Sequence, residues 1–160
     1  MSASKFIPRV MGFAALALIA ASASAQQRPD YGTPVTIDQA KKIAAATVAE
    51  CASNKWNVAV AIADTAGNLV YFERIENTQT ASMEIAIMKA RAAATYRRPT
   101  RAFANAIAKG GPAVMTLPGI VASPGGNPIM VDGKVIGAVG VSGVTGDQDE
   151  QCAKAGLAAL

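Results

Sequence analysis

The chain has 160 residues, of which 51% are hydrophobic and only 5% aromatic, with a formal net charge of +4 and no histidine. Without histidine it can build no Ser-His-Asp triad, no Cys-His pair, no histidine-bearing zinc site and no histidine-ligated haem from its own residues. Rings are few and no basic run is interleaved with them, which argues against a surface for single-stranded nucleic acid.

Residues Met1 to Ala25 read as a cleavable export signal. Lys5 and Arg9 form a charged start, and Val10 to Ala21 an apolar core shorter than the ~20 residues of a membrane-spanning helix. Ala23-Ser24-Ala25 then supplies the small residues of a cleavage site. The mature protein is therefore expected in the periplasm or secreted. Its charge falls to about +2 once Lys5 and Arg9 are removed. No later run is long and apolar enough to span a bilayer, and Gln26 to Leu160 suits one domain.

Gln26 to Val35, with Pro29, Gly32 and Pro34, reads as a flexible leader, so the domain is expected over 36–160. Thr36 and Gln39 have the spacing of a capping box, and Ala40, Ile43, Ala44, Thr47, Val48 and Cys51 share one face, which predicts a helix over Ile37 to Ser53. The period then becomes two. Val58, Val60 and Ile62 alternate with Ala59, Ala61 and Ala63, and after the turn signal Asp64 to Asn68 comes the strand-rich run Leu69 to Ile75. The alanine face of this hairpin would let a helix lie close to the sheet. A helix from about Ser82 to Tyr96 stops before Pro99, and a short one capped by Thr100 runs to Ala108. Lys109 to Pro128 is rich in glycine and proline, with an extra strand expected near Ile120. The turn Asp132-Gly133 joins Pro128–Val131 to Lys134–Ser142 as a hairpin. Asp147 with Glu150 is expected to cap a terminal helix whose inner side carries Asp149, Cys152, Ala153, Gly156, Leu157 and Leu160. This order predicts an α+β fold, an antiparallel sheet of about five strands with the N- and C-terminal helices on one face.

The segments Gly133-Lys-Val-Ile-Gly137-Ala-Val-Gly140-Val-Ser142-Gly143 and Gln148-Asp149-Glu150-Gln-Cys152-Ala153-Lys-Ala-Gly156-Leu157 closely resemble the signature of the GlcG/HbpS-like family, often labelled haem-binding or haem-degrading. The C-terminal domain of some corrinoid adenosyltransferases belongs to the same family. Asp64 with Gly67, Lys89-Ala90 to Pro99-Thr100, and Pro118-Gly119 with Gly125-Gly126 agree with it over about Thr36 to Leu160. The resemblance implies a profilin-like sandwich, a homo-oligomer and haem as the leading ligand. Some members ligate haem through histidine. With none here, haem would rest on Tyr, Met, Cys or Lys, on a weak oxygen donor, or on porphyrin contacts alone. Tyr71 and Tyr96 are the candidate tyrosine ligands, and half-buried packing is the alternative role for each.

Lys89, Arg91, Arg97, Arg98, Arg101 and Lys109 form a run of cations with no intervening acid. It reads either as an anion-holding surface, since guanidinium groups bind carboxylates bidentately, or as a solvated helix face. Gly125 and Gly126, beside the strand that ends at Ser142, would let backbone amides approach a ligand or would serve turns and packing. Arg74 lies among Glu73, Glu76 and Glu84, which form no recognised metal-ligand set. Ser142 has no histidine to activate it. Cys51 and Cys152 lie on the apolar faces of the first and last helices. They would meet as a disulfide if those helices pack antiparallel, or remain buried thiols like the cysteine at the position of Cys152 in cytoplasmic relatives.

The function this implies is a non-catalytic exported protein that binds a small ligand, haem or a similar planar or anionic molecule. Its candidate ligand residues are Arg74, Glu84, Lys89, Arg97, Arg98, Arg101, Gly125, Gly126 and Ser142. No metal site and no nucleic-acid partner are expected. The alternatives are an enzyme acting on a small organic acid or porphyrin, a lyase, isomerase or degradative activity, and an accessory protein of a membrane sensor.

Overall fold

Thr36 opens helix α1, Ile37–Ser53, through both halves of the capping box: its Oγ1 accepts from the Gln39 N–H at 3.2 Å and its own N–H donates to Gln39 Oε1 at 2.9 Å. The computed structural model describes residues 27–160, so the export signal lies outside the described residues. Strands β1, Ala59–Ala63, and β2, Leu69–Arg74, are joined at Asp64, whose carboxylate accepts from the Ala66 and Asn68 N–H groups at 2.9 Å each. Helices α2, Ala81–Tyr96, and α3, Arg101–Ala108, follow. After an irregular stretch holding a 3-10 turn at Pro112–Thr116 come β3, Gly126–Val131, β4, Lys134–Ser142, and α4, Gly146–Leu157. The strands form one antiparallel sheet in the order β2-β1-β4-β3.

The two faces of the sheet differ in side-chain size, and that difference sets the layers. Val60, Ile62, Ile129, Val139 and Val141 form the core with Ile43, Ala44 and Ala153 of α1 and α4. On the opposite face Ala59, Ala61 and Ala63 pack on Ala86 and Ala90 of α2, and Ala138 on Ala93 and Ala94. Because these residues are small, α2 comes down onto the sheet backbone. A Cβ on Gly140 would run into the Ala86 carbonyl oxygen and the Ala90 backbone nitrogen. Cys51 of α1 and Cys152 of α4, both fully buried with Cα atoms 5.6 Å apart, form a disulfide between residues 101 apart in sequence.

Four expectations are corrected. The sheet has four strands, not about five: Pro118-Gly119 and Pro124-Gly125 interrupt the run around Ile120, which joins no strand. Thr100 does not cap α3. It is fully buried, donating from Oγ1 to the Ser123 carbonyl at 2.7 Å and accepting from the Gly126 N–H at 3.0 Å. Helix α4 is capped by Thr145 with Gln148, because Asp147 and Glu150 both turn to Arg101. Residues 30–35 are a docked strap, not a loose leader. Strand β1 ends opposite Ala138, which leaves the β4 groups at Val135 and Ile136 unpaired on that side. The strap satisfies them: Val135 N–H donates to Asp30 O at 2.8 Å, Gly32 N–H to Val135 O at 2.9 Å and Val35 N–H to Ile136 O at 2.7 Å.

Gly140→Ala is expected to cost about 2–3 kcal/mol of unfolding free energy in urea titrations, because neither backbone can retreat. Replacing both cysteines by alanine is expected to cost about 2–5 kcal/mol in the same assay, with a native-like circular dichroism spectrum before denaturant.

Candidate functional site

Lys89 sits at the middle of α2, facing the sheet, and only 1% of its surface is exposed. Its ammonium donates to Asp149 Oδ2 of α4 at 2.7 Å and to the Val141 carbonyl at 2.9 Å, while Asp149 Oδ1 accepts from the Val144 N–H at 3.2 Å. The pair thus joins helices on opposite faces of the sheet. Gly125 and Gly126 leave the room for it. A Cβ on Gly125, which has φ +116, would lie 3.0 Å from Lys89 Nζ and 2.8 Å from Asp149 Cβ, and one on Gly126 would lie 2.5 Å from the Lys89 carbonyl oxygen. The space these glycines open is therefore taken by the lysine. Burial pushes Asp149 up and Lys89 down from their ordinary values, and each opposes the shift of the other through charge and hydrogen bond.

Arg101 is also engaged. Its Nε donates to Glu150 Oε2 at 2.8 Å, its Nη2 pairs with Asp147 at 2.5 Å, and Lys154 reaches the same Glu150 oxygen at 3.0 Å. Ser142 Oγ donates to Ser82 Oγ at 3.2 Å, and Ser82 also accepts from Gln79 Nε2 at 2.9 Å, so the hydroxyl meets no base. Arg74, exposed on β2, touches Met83 Sδ at 3.7 Å, and Glu84 is exposed in the first turn of α2. Thirteen residues separate Glu84 from Arg97, about 20 Å along the helix axis, so these two do not converge. Tyr71 donates its hydroxyl to Glu73 at 3.2 Å, and the carboxylate raises the tyrosine above its ordinary value.

Arg97 and Arg98 form a different environment at the end of α2. Arg97 closes the helix in the left-handed conformation, φ 51 and ψ 44, where glycine is preferred because a Cβ is strained there. Its guanidinium lies 5.0 Å from the centre of the Tyr31 ring and donates to the Pro29 carbonyl at 2.9 Å. The Arg98 guanidinium lies 5.1 Å from the Phe103 ring, which meets Tyr96 edge to face at 5.3 Å. Its Nε is buried without a hydrogen-bond partner. Burial first, then the neighbouring charge of Arg28, lowers Arg98 from its ordinary value. Among the described residues no carboxylate pairs with Arg28, Arg97 or Arg98. Tyr96 donates to the Pro118 carbonyl at 2.8 Å and so ties down the loop that exposes Met115 and Leu117.

Six of the nine candidate residues from the sequence therefore separate into three places, a buried tether (Lys89, Gly125, Gly126), an ion-pair cluster (Arg101) and the corner of Arg97 and Arg98, while Arg74, Glu84 and Ser142 belong to none of them. The basic run is not one surface. Arg28, Tyr31 and Phe103 were not singled out in the sequence, and the only hint was an aromatic residue among the turn formers of the leader. A cleft of about 380 Å³ lies elsewhere, between the strap at Thr33, the start of α1 at Thr36 and Gln39, and the hairpin residues Val131, Lys134 and Ile136. None of the sequence candidates lines it. Among the described residues there is no cluster of three or more His, Cys, Asp or Glu side chains placed to hold a metal, and no helix long and apolar enough to cross a membrane.

A four-stranded antiparallel sheet with its terminal helices on one face and α2 on the other defines an α+β sandwich. The chain belongs to the HbpS-like family, described as "Haem degrading protein HbpS-like", whose profile matches residues 35–158. It is 42% identical to Protein GlcG of Escherichia coli (strain K12) over 112 residues, 69% of this chain and 84% of that one. The crystal structure of HbpS superposes with a TM-score of 0.75 at 34% identity, covering 81% of this chain and 92% of that one. A haem complex of PduOC shares the fold with a TM-score of 0.73 at 23% identity, covering 80% and 96%.

Lys89→Met leaves Asp149 buried without its partner and is expected to cost about 3–5 kcal/mol in denaturant unfolding. The carboxyl of the variant then has a raised folded-state pKa, and such a group contributes stability below its unfolded value that is lost as pH rises through the folded value. The deficit relative to the native protein should accordingly be largest at neutral pH and shrink as pH is lowered towards 4.

Proposed function

We propose that the protein is an exported, non-catalytic small-ligand-binding protein whose ligand is haem or a similar planar, anionic molecule, held at the corner of Arg97 and Arg98. The observation that carries this reading is two guanidinium groups, each laid on an aromatic ring and neither paired with an acid among the described residues. Carboxylates such as haem propionates match the guanidinium geometry, and a flat apolar body matches the rings. The description of the family and the haem complex of PduOC support the ligand class. Export is supported by the signal-like N-terminus and by the disulfide, since such bridges persist in oxidising compartments.

Several candidate iron ligands are engaged elsewhere. Both cysteines are in the disulfide, Lys89 is paired with Asp149, and the hydroxyls of Tyr71 and Tyr96 donate to Glu73 and Pro118. The fit is therefore to the porphyrin edge and face, with propionates on arginine, and not to axial ligation by these side chains. The description of the family favours one rival reading, degradation of haem by the protein itself.

Titrating haem into the purified protein is expected to shift the Soret band with a stable spectrum. The Arg97→Ala/Arg98→Ala double variant should bind about 10–100-fold more weakly, as expected for losing charge-assisted hydrogen bonds. No shift at micromolar haem would remove the ligand, and progressive bleaching of the bound spectrum would replace binding with degradation.

A further inference from the structure

The strap places a third cation at the corner. The Tyr31 hydroxyl lies 3.1 and 3.0 Å from the Ala94 and Thr95 carbonyls and shares its proton between them at the end of α2, where Ala94 also accepts from the Arg97 N–H at 3.3 Å. Arg97 reaches across to the Pro29 carbonyl and lies on the Tyr31 ring. Together with the hydrogen bonds to Val135 and Ile136, these contacts fix residues 29–35 against β4 and α2. Arg28 is the next residue out from Pro29, whose carbonyl is bonded to Arg97, so the chain sets it, half-buried, at this corner, and its charge opposes that of Arg98. The nearest acid on the strap, Asp30, is exposed and forms no ion pair among the described residues. Three like charges are thus gathered with no acid paired to them among the described residues, one of them on a backbone conformation that costs energy for any residue with a Cβ. A bound polyanion would relieve the repulsion.

We propose that the N-terminal strap completes the ligand site: Arg28, held beside Arg98 by the Tyr31 and Pro29 contacts, is a third anion-binding group, and the ligand carries at least two carboxylate or phosphate groups. This rests on the ligand-binding reading of the Arg97–Arg98 corner but not on haem. Arg28 is a binding residue and Tyr31 a positioning residue, so the two act in series.

The test uses two probes, haemin by absorbance and inorganic pyrophosphate by calorimetry, on the native protein and on Arg28→Ala, Tyr31→Phe and the double variant. Arg28 and the Tyr31 hydroxyl lie outside the core, so circular dichroism of all four proteins should coincide. Arg28→Ala should weaken the bound probe about fivefold or more. Tyr31→Phe keeps the ring and Arg28 but loosens the strap, and should weaken the probe too, whereas the double variant should be no weaker than Arg28→Ala. Native affinity for haemin in Arg28→Ala would overturn the strap proposal and leave the haem reading standing. Binding of pyrophosphate but not haemin, lost in Arg28→Ala, would do the reverse. Binding of neither probe by the native protein would overturn both.

Discussion

Lys89 has to reach an acid on the far side of the sheet, and much of the architecture is arranged so that it can. Its ammonium cannot stay charged in the interior without Asp149 and the Val141 carbonyl, because an isolated buried charge would cost several kcal/mol. The lysine passes the end of β4 only because Gly125 and Gly126, at the start of β3, carry no side chain. It starts close enough only because α2 rests directly on Gly140 and a row of alanines. The alanine face, the glycine pair at the start of β3 and the aspartate early in α4 are separate features of the sequence that answer to one geometric requirement.

The secondary structure was legible wherever a local rule had no competitor. Helix α1 begins and ends where its capping box and apolar face place it, and β4 spans Lys134–Ser142 as its turn signal and alternation require. The start of α4 shows the limit. Thr145 with Gln148 and Asp147 with Glu150 overlap, and both have capping spacing. What decides between them is Arg101, 46 residues away from Asp147, which takes both acids. Thr100 failed as a cap for a similar reason, since its hydroxyl is claimed by the strand side at Gly126. Long-range partners of this kind leave no local trace.

The candidate site was half legible. Arg97 and Arg98 stood out as cations without neighbouring acids, but so did Lys89, Arg91 and Arg101, because a sequence run does not show which way each residue faces. Helical geometry sends Lys89 inward to Asp149, Arg91 to the Gly67 carbonyl at 3.2 Å and Arg101 to α4, leaving the pair at the helix end. The strap was missed because Pro29, Gly32 and Pro34 are turn formers, and turn formers look alike whether the segment is docked or loose. Tyr31 distinguishes the two, and its role is visible only once the Ala94 and Thr95 carbonyls at the end of α2 are in view. The cysteines were the reverse case. Both alternatives fitted the helix faces, and the packing of α1 on α4 chose the bridge.

The disulfide fastens only one of the two layers that cover the sheet. Helices α1 and α4 are stitched to each other covalently, whereas α2 and α3, which carry the arginine corner, are held by small-residue packing, one internal ion pair and the Arg101 cluster. The molecule therefore has a seam on its back and none on its front. Motions that loosen α2 need break no bond between atoms of sulfur, so the side that presents the guanidinium groups is free to adjust its fit while the other side keeps the chain in register.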